Sequence, residues 1–145
     1  MKIDEIDLKI IDELQKNSRL SMSELGRRVN LSSPSVTERV RQMESFGIIQ
    51  QYTLQVDYEK LGYPIQCLIE ATVKDGNYEA FKQKIQTFSN VEFCYRIAGK
   101  ACYMLKLHFK DLSQAEEFIN TLSSYAVTVT HFIFSKVETN LSFHI

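Results

Sequence analysis

Ser33, Ser35, Thr37, Glu38, Arg39 and Arg41 lie in the segment SSPSVTERVRQMESFG, which opens at Ser32 and repeats apolar residues at helical spacing. These side chains have the chemistry of nucleic-acid contact. Arginine can donate to guanine O6 and N7, glutamate can accept from cytosine, and hydroxyls hold phosphate or either base edge. A helix N-terminus adds a partial positive charge that favours phosphate. Val36, Val40 and Met43 form one face, and Glu38 and Arg41 project from the opposite one. Arg39 lies about 60° from the apolar stripe, near enough to brace Glu24 or the segment that follows instead. Arg19 and Arg28, with Lys16 and Arg27, suit phosphate contacts better than base reading. The alternative for the whole face is a solvated side of a structural helix pair.

The elements that must position these residues are short amphipathic helices. Ile6, Ile10 and Leu14 make an i, i+4, i+8 stripe, so a first helix is expected from Asp4, its N-cap, to Lys16. Ser21 caps a second helix, and Glu24 is placed to complete a capping box. Gly26 lowers helix propensity, which a close helix–helix approach would explain. Asn30 suits the positive φ of a turn. Ser32 or Ser33 caps the third helix, Pro34 fits its first turn, and Gly47 ends it. A tight turn between two such helices is how a helix-turn-helix is written. Residues 48–56, IIQQYTLQV, alternate enough for a short strand or wing.

Beyond LGYP (61–64) the periodicity changes. A strand is expected at 65–73, a turn at Asp75-Gly76-Asn77, and a helix through Tyr78, Phe81, Ile85 and Phe88. VEFCYRIA (91–98) and ACYMLKLHF (101–109) alternate around Gly99-Lys100, which reads as a two-residue hairpin turn. Val91, Phe93, Tyr95 and Ile97 would share one face. Leu112, Ala115, Phe118, Ile119 and Leu122 give a further helix, and VTVTHFIF (127–134) a last strand. The order βαββαβ is ferredoxin-like. Its helices cover one sheet face. The other, expected to carry Cys94, Met104 and Phe132 or Phe134, is apolar enough to require a second subunit. The fold class is therefore α+β, with residues 1–50 as the helix-turn-helix domain, 51–63 as a strand or linker, and 64–145 as the ferredoxin-like domain.

Composition narrows the function classes. The 145 residues are 44% hydrophobic and 24% charged, as expected of a soluble globular protein. No apolar run could span a bilayer, and the charged start MKIDEIDLKIID lacks a signal-peptide core, so a cytoplasmic protein without membrane attachment is expected. Cys67, Cys94 and Cys102 are odd in number and lack CxxC spacing, which argues for reduced thiols and no cysteine metal site. His108 and His131 stand in strands without ligand spacing. No catalytic constellation or phosphate-cradling loop is visible, so neither an enzyme nor a cofactor is expected. Net charge is −1. Its distribution matters more. Residues 1–15 net −3, with Lys2 and Lys9 against Asp4, Glu5, Asp7, Asp12 and Glu13. Residues 16–46 net +3, with Lys16, Arg19, Arg27, Arg28, Arg39 and Arg41 against Glu24, Glu38 and Glu44. So small an excess per chain suggests that DNA would be held by a dimer or larger assembly.

This plan resembles the leucine-responsive / asparagine-operon (Lrp/AsnC, feast/famine) regulators of bacteria and archaea. The resemblance covers essentially the whole chain. It rests on DLKIIDELQKNSRLSMSELGRRVNLSSPSVTERVRQMESFGII (7–49), on Tyr52 and Asp57 near LGYP, and on FCYRIAGKACYMLKL (93–107). It implies a transcription regulator or DNA-organising protein that binds double-stranded DNA. Such proteins dimerise through the C-terminal domain, often close into octameric rings, and wrap DNA. It also implies an amino-acid effector site near the turn between the second and third strands. The candidates there are Arg96, Gly99, Lys100, Cys102 and Tyr103. The family pattern is roughly Gly-x-x-Asp-Tyr, and Cys102 stands at the aspartate position. A neutral thiol cannot form the ion pair that a carboxylate gives an ammonium group. The turn is thus expected to serve an assembly interface rather than an amino-acid pocket. Arg96 can grip a carboxylate or pair with Glu92. The short hydroxyl side chains that open the third helix, with Cys102, lean toward sequence-tolerant binding, as against an operator-specific, effector-controlled regulator.

Overall fold

The computed structural model describes residues 1–144. They gather into two compact units, one of residues 1–55 with the segment from Glu138, the other Val56–Val137.

The first unit holds α1 (Glu5–Lys16), α2 (Met22–Val29) and α3 (Ser33–Ser45). Each helix starts on a side chain that satisfies otherwise unpaired backbone donors. Asp4 accepts from the Ile6 and Asp7 N–H groups, and the Asp7 carboxylate accepts from the Asp4 N–H in return. Ser21 caps α2 by accepting from the Glu24 N–H. The Glu24 side chain does not close the expected capping box, because Arg27 and Arg28 draw it away. Ser32 caps α3. Ile10, Leu14, Leu25, Val29, Val36, Val40 and Met43 form the core.

Asn30 closes α2 at φ 58°, and Gly47 follows α3 at φ 70°. Gly26 has a sharper reason than helix–helix approach. A Cβ there would lie 2.6 Å from the Leu31 carbonyl oxygen, so the glycine makes room for the turn's backbone. The expected strand or wing over 48–56 is not formed. Among the described residues that segment is irregular and has no strand partner.

The second unit contains β1 (Ile65–Val73), α4 (Tyr78–Gln86), β2 (Val91–Arg96), β3 (Tyr103–Phe109), α5 (Leu112–Leu122) and β4 (Ala126–Phe132). The sheet order is β2-β3-β1-β4, antiparallel throughout, which is the ferredoxin-like arrangement. Cys67, Ile69, Ala71, Tyr103, Leu105 and Leu107 face a core completed by Phe81 and Ile85 of α4 and Phe118 and Leu122 of α5.

Three details depart from plain alternation. First, a bulge between Val91 and Phe93 shifts the register of β2 on β3. Cys94 pairs with Leu105 and Arg96 with Tyr103, so both lie on the helix-covered side. Phe93 and Tyr95 go to the open face, their rings stacked 4.5 Å apart. Second, Phe132 pairs with the buried Cys67 and so leaves the open face, whereas Met104 pairs with Glu70 and belongs there. Third, the hairpin turn is longer than Gly99-Lys100. The strands stop at Arg96 and Tyr103, and an Ile97 N–H to Cys102 carbonyl bond of 2.9 Å closes the loop.

Candidate nucleic-acid interface

Helix α3 buries Val36, Val40 and Met43 and turns Ser35, Thr37, Glu38, Arg41 and Gln42 outward. Ser33, at its first position, is half-buried. The hydroxyls near the N-terminus already have local partners. Ser35 Oγ lies 2.8 Å from Ser32 Oγ, and Thr37 Oγ1 donates to the Ser33 carbonyl at 2.7 Å. Each keeps a lone pair toward solvent. Farther along, Glu38 organises the face. It accepts from Gln42 Nε2 at 3.1 Å and pairs with Arg41 Nη2 at 3.1 Å. The Gln42 hydrogen bond, then the Arg41 contacts, hold the Glu38 carboxyl below its ordinary range. By helical spacing Gln42 lies on the flank of α3. Its bond to Glu38 brings a second long hydrogen-bonding side chain onto the exposed face.

Most of the other cations are engaged inside this unit. Arg39 Nη1 donates to Asp7 Oδ1 at 2.7 Å and to Asp4 Oδ2 at 2.8 Å. Asp7 is only 1% exposed. The sequence places Arg39 with the DNA contacts and allows it a bracing role toward Glu24 or the wing; its acidic partners are Asp7 of α1 and the N-cap Asp4. Arg28 bridges Glu13 of α1 and Glu24 of α2, at 2.7 and 3.0 Å. Arg27 chelates Glu24 with two hydrogen bonds. Those from Arg27, then the one from Arg28, hold the Glu24 carboxyl down at about 2. Lys16 pairs with Asp12. The Arg19 guanidinium has no hydrogen bond or ion pair among the described residues; only its backbone N–H is engaged, by Asn17. Arg28 and Arg39 therefore join helices, whereas Lys16 and Arg27 pair within their own.

The candidates in the second unit sit at the end of the β2–β3 hairpin. Arg96 Nη1 donates to the carbonyls of Ile97 and Cys102, at 3.3 and 2.7 Å. Its guanidinium lies over the rings of Tyr78 and Tyr103, 4.9 and 5.2 Å from their centroids. Glu92 is not its partner; that carboxylate pairs with Lys106 and His108. Cys102 Sγ lies 3.9 Å from the Tyr78 hydroxyl. A backbone hydrogen bond from Val73, with Tyr78 and Arg96 alongside, lowers its thiol from the ordinary value. Gly99 and Lys100 are exposed and Tyr103 is buried. Sequence reasoning missed Lys82 and Gln86 of α4, which line a recess with Arg96. They are solvent-facing helix positions whose only sign is their spacing from Tyr78.

The two units match two family descriptions in chain order. The AsnC-type helix-turn-helix domain matches residues 3–44, and the Lrp/AsnC ligand binding domain matches residues 66–142. The chain belongs to the Lrp/AsnC family. It is 66% identical over 139 residues, 96% of each chain, to the HTH-type transcriptional regulator LrpC of Bacillus subtilis. The solved structure of that regulator matches with a TM-score of 0.93 and 65% identity, covering 97% of this chain and 100% of the other. The leucine-responsive regulatory protein of Escherichia coli is 35% identical over 114 residues, 77% of this chain and 70% of that protein. A feast or famine regulatory protein from M. tuberculosis, complexed with L-methionine, matches with a TM-score of 0.89 and 25% identity, covering 98% and 99%. This Lrp/AsnC member is a transcriptional regulator with a DNA-binding helix-turn-helix, and its relatives are regulators rather than enzymes. No helix among its described residues is long and apolar enough to cross a membrane.

Proposed function

We propose that this regulator binds duplex DNA with weak base preference, through α3 and the cations beside it. In this reading it assembles into dimers and larger rings that bend or wrap the DNA. The carrying observation is the composition of the exposed face of α3. Ser33, Ser35 and Thr37 open it with short hydroxyls, and its one outward cation, Arg41, is shared with Glu38. Such a surface favours phosphate positioning over direct readout, and leaves selectivity to DNA shape. Arg19 and Arg28 join as phosphate contacts, and Arg39 contributes by fixing α3 against α1. Few phosphates are neutralised per chain, so affinity comes from several chains acting together. The open sheet face supports self-association, since Tyr95, Val127 and Val129 are 61%, 60% and 52% exposed there.

The test is fluorescence anisotropy at one fixed salt concentration. It compares the DNA upstream of the protein's own gene with a scrambled fragment of equal length. Equal, tight binding to both supports this reading, and strong preference for the native fragment refutes it. Arg41→Ala should weaken both complexes alike, lower the salt slope by about 1 per bound chain, and leave the oligomer size unchanged.

A second reading adds a small-molecule effector at the C-terminal domain. The observation favouring it is the cationic recess beside Arg96. L-methionine complexes of the M. tuberculosis protein and of a Neisseria meningitidis regulator support ligand binding in this domain class.

A further inference from the structure

The recess beside the β2–β3 hairpin has a volume of about 580 Å³ and lies wholly within the second unit. Tyr78, Lys82, Ile85 and Gln86 of α4 line it with Cys94, Arg96 and Tyr103 of the sheet. The size suits a small organic molecule, and apolar walls with a few polar groups are the usual composition of a ligand site.

Its polar groups are one-sided. Two of the lining residues are cations, and none is a carboxylate. Lys82 has a partner outside the lining, Glu79 Oε1 at 2.9 Å. That hydrogen bond raises the Lys82 ammonium above its ordinary range, and the nearby Arg96 charge opposes the rise. Arg96 has no acidic partner among the described residues. Its Nη1 donates to two carbonyls of the hairpin, and the Cys102 thiol stands beside the guanidinium. The Nε–Nη2 edge makes no hydrogen bond among the described residues. That edge is the fork that meets a carboxylate with two parallel hydrogen bonds. The plane of the fork is held by Tyr78 and Tyr103, so little side-chain freedom remains to be lost on binding.

We infer that this recess binds an apolar 2-oxo acid, its carboxylate on the free edge of Arg96 and its oxo group turned to the donors of α4. An apolar side chain would lie against Ile85 and the Tyr103 ring. The amino acid of the same skeleton is the poorer ligand. Its ammonium group would enter a recess lined by two cations, with no carboxylate to receive it. The inference rests on the effector reading above and names the ligand class for it.

The experiment is calorimetric titration of the full chain, without DNA, using three probes: 4-methyl-2-oxopentanoate, L-leucine and inorganic phosphate. The 2-oxo acid should bind at least about tenfold more tightly than leucine, a difference of about 1.4 kcal/mol. Phosphate should bind more weakly than the 2-oxo acid. Arg96→Gln and Arg96→Lys should each weaken the 2-oxo acid at least about tenfold, because neither offers the fork. Lys82→Ala, on a solvent-facing helix position, should weaken it less and guards against a folding artefact at Arg96. Leucine binding as tightly as the 2-oxo acid overturns the inference and leaves the effector reading standing. Preference for phosphate, or 2-oxo acid affinity unchanged in Arg96→Gln, also overturns it. No binding of either organic probe at millimolar concentration overturns both readings.

Discussion

Replacing Arg39 by methionine separates its two candidate roles, brace and DNA contact. Methionine keeps an unbranched apolar stem and deletes the guanidinium. In the intact protein Nη1 lies 2.7 Å from Asp7 Oδ1 and 2.8 Å from Asp4 Oδ2. Asp4 is exposed, so water replaces the arginine there. Asp7 is 1% exposed and has no such recourse. Its other oxygen keeps the Asp4 N–H at 3.0 Å, which covers one acceptor without supplying charge. Removing one partner of a buried ion pair costs about 3–5 kcal/mol. Arg39 is itself 30% exposed, which places this pair at the low end, near about 3 kcal/mol. In a unit this small that loss lowers Tm by more than about 12 °C. Urea and thermal melts followed by far-ultraviolet circular dichroism would measure it. Asp7→Asn in the Arg39→Met background removes the stranded charge and should recover much of the loss. A loss under about 1 kcal/mol, typical of a surface pair, with DNA affinity down tenfold or more, would refute the reasoning and return Arg39 to the DNA-contacting set.

Gly26→Ala should lower stability by about 2 kcal/mol in the same melts, because overpacking against backbone outweighs the helix propensity gained. The Cβ would lie 2.6 Å from a carbonyl oxygen that only moves with the turn, and a stabilised variant would show that the turn yields freely. Glu24 gives a pH signature. Its carboxyl is held at about 2 against an ordinary 4.5, so its contribution is full above 4.5 and disappears as pH falls toward 2. Acid unfolding of Glu24→Gln should therefore be flatter than that of the parent protein in this window, and parallel curves would count against the Arg27–Glu24–Arg28 cluster.

The helices of the first unit were legible in the sequence because caps and apolar spacing are local. Asp4, Ser21, Asn30 and Gly47 each announce a helix boundary within a few residues of it. The destinations of the charges were not legible. Asp7 has the appearance of one more surface acid in a charged helix, and its burial depends on Arg39, far away in sequence. The acids that take up Arg28 and Arg39 likewise cannot be read from the local pattern. In the sheet, the order of elements along the chain follows from periodicity, and the core of β3 from alternation. The side assignment of β2 does not, since one inserted residue changes the parity of everything after it. Phe93 and Tyr95 thereby reach the open face, and Cys94 and Arg96 the covered one. The recess has the same origin, because Arg96 meets α4 only through that shift.

The ladder itself has no use for the extra residue at that bulge. With Glu92 deleted, Val91 could still face Leu107, Phe93 Lys106 and Cys94 Leu105, now as unbroken alternation. Glu92 is supernumerary to the sheet, yet its carboxylate pairs with Lys106 and with Nε2 of His108. His108 is 4% exposed beneath the ring of Tyr58, and its Nδ1 already lacks a partner among the described residues. Deletion would leave the strand whole and both imidazole nitrogens stranded. In this strand the extra residue supplies a buried imidazole with its polar partner.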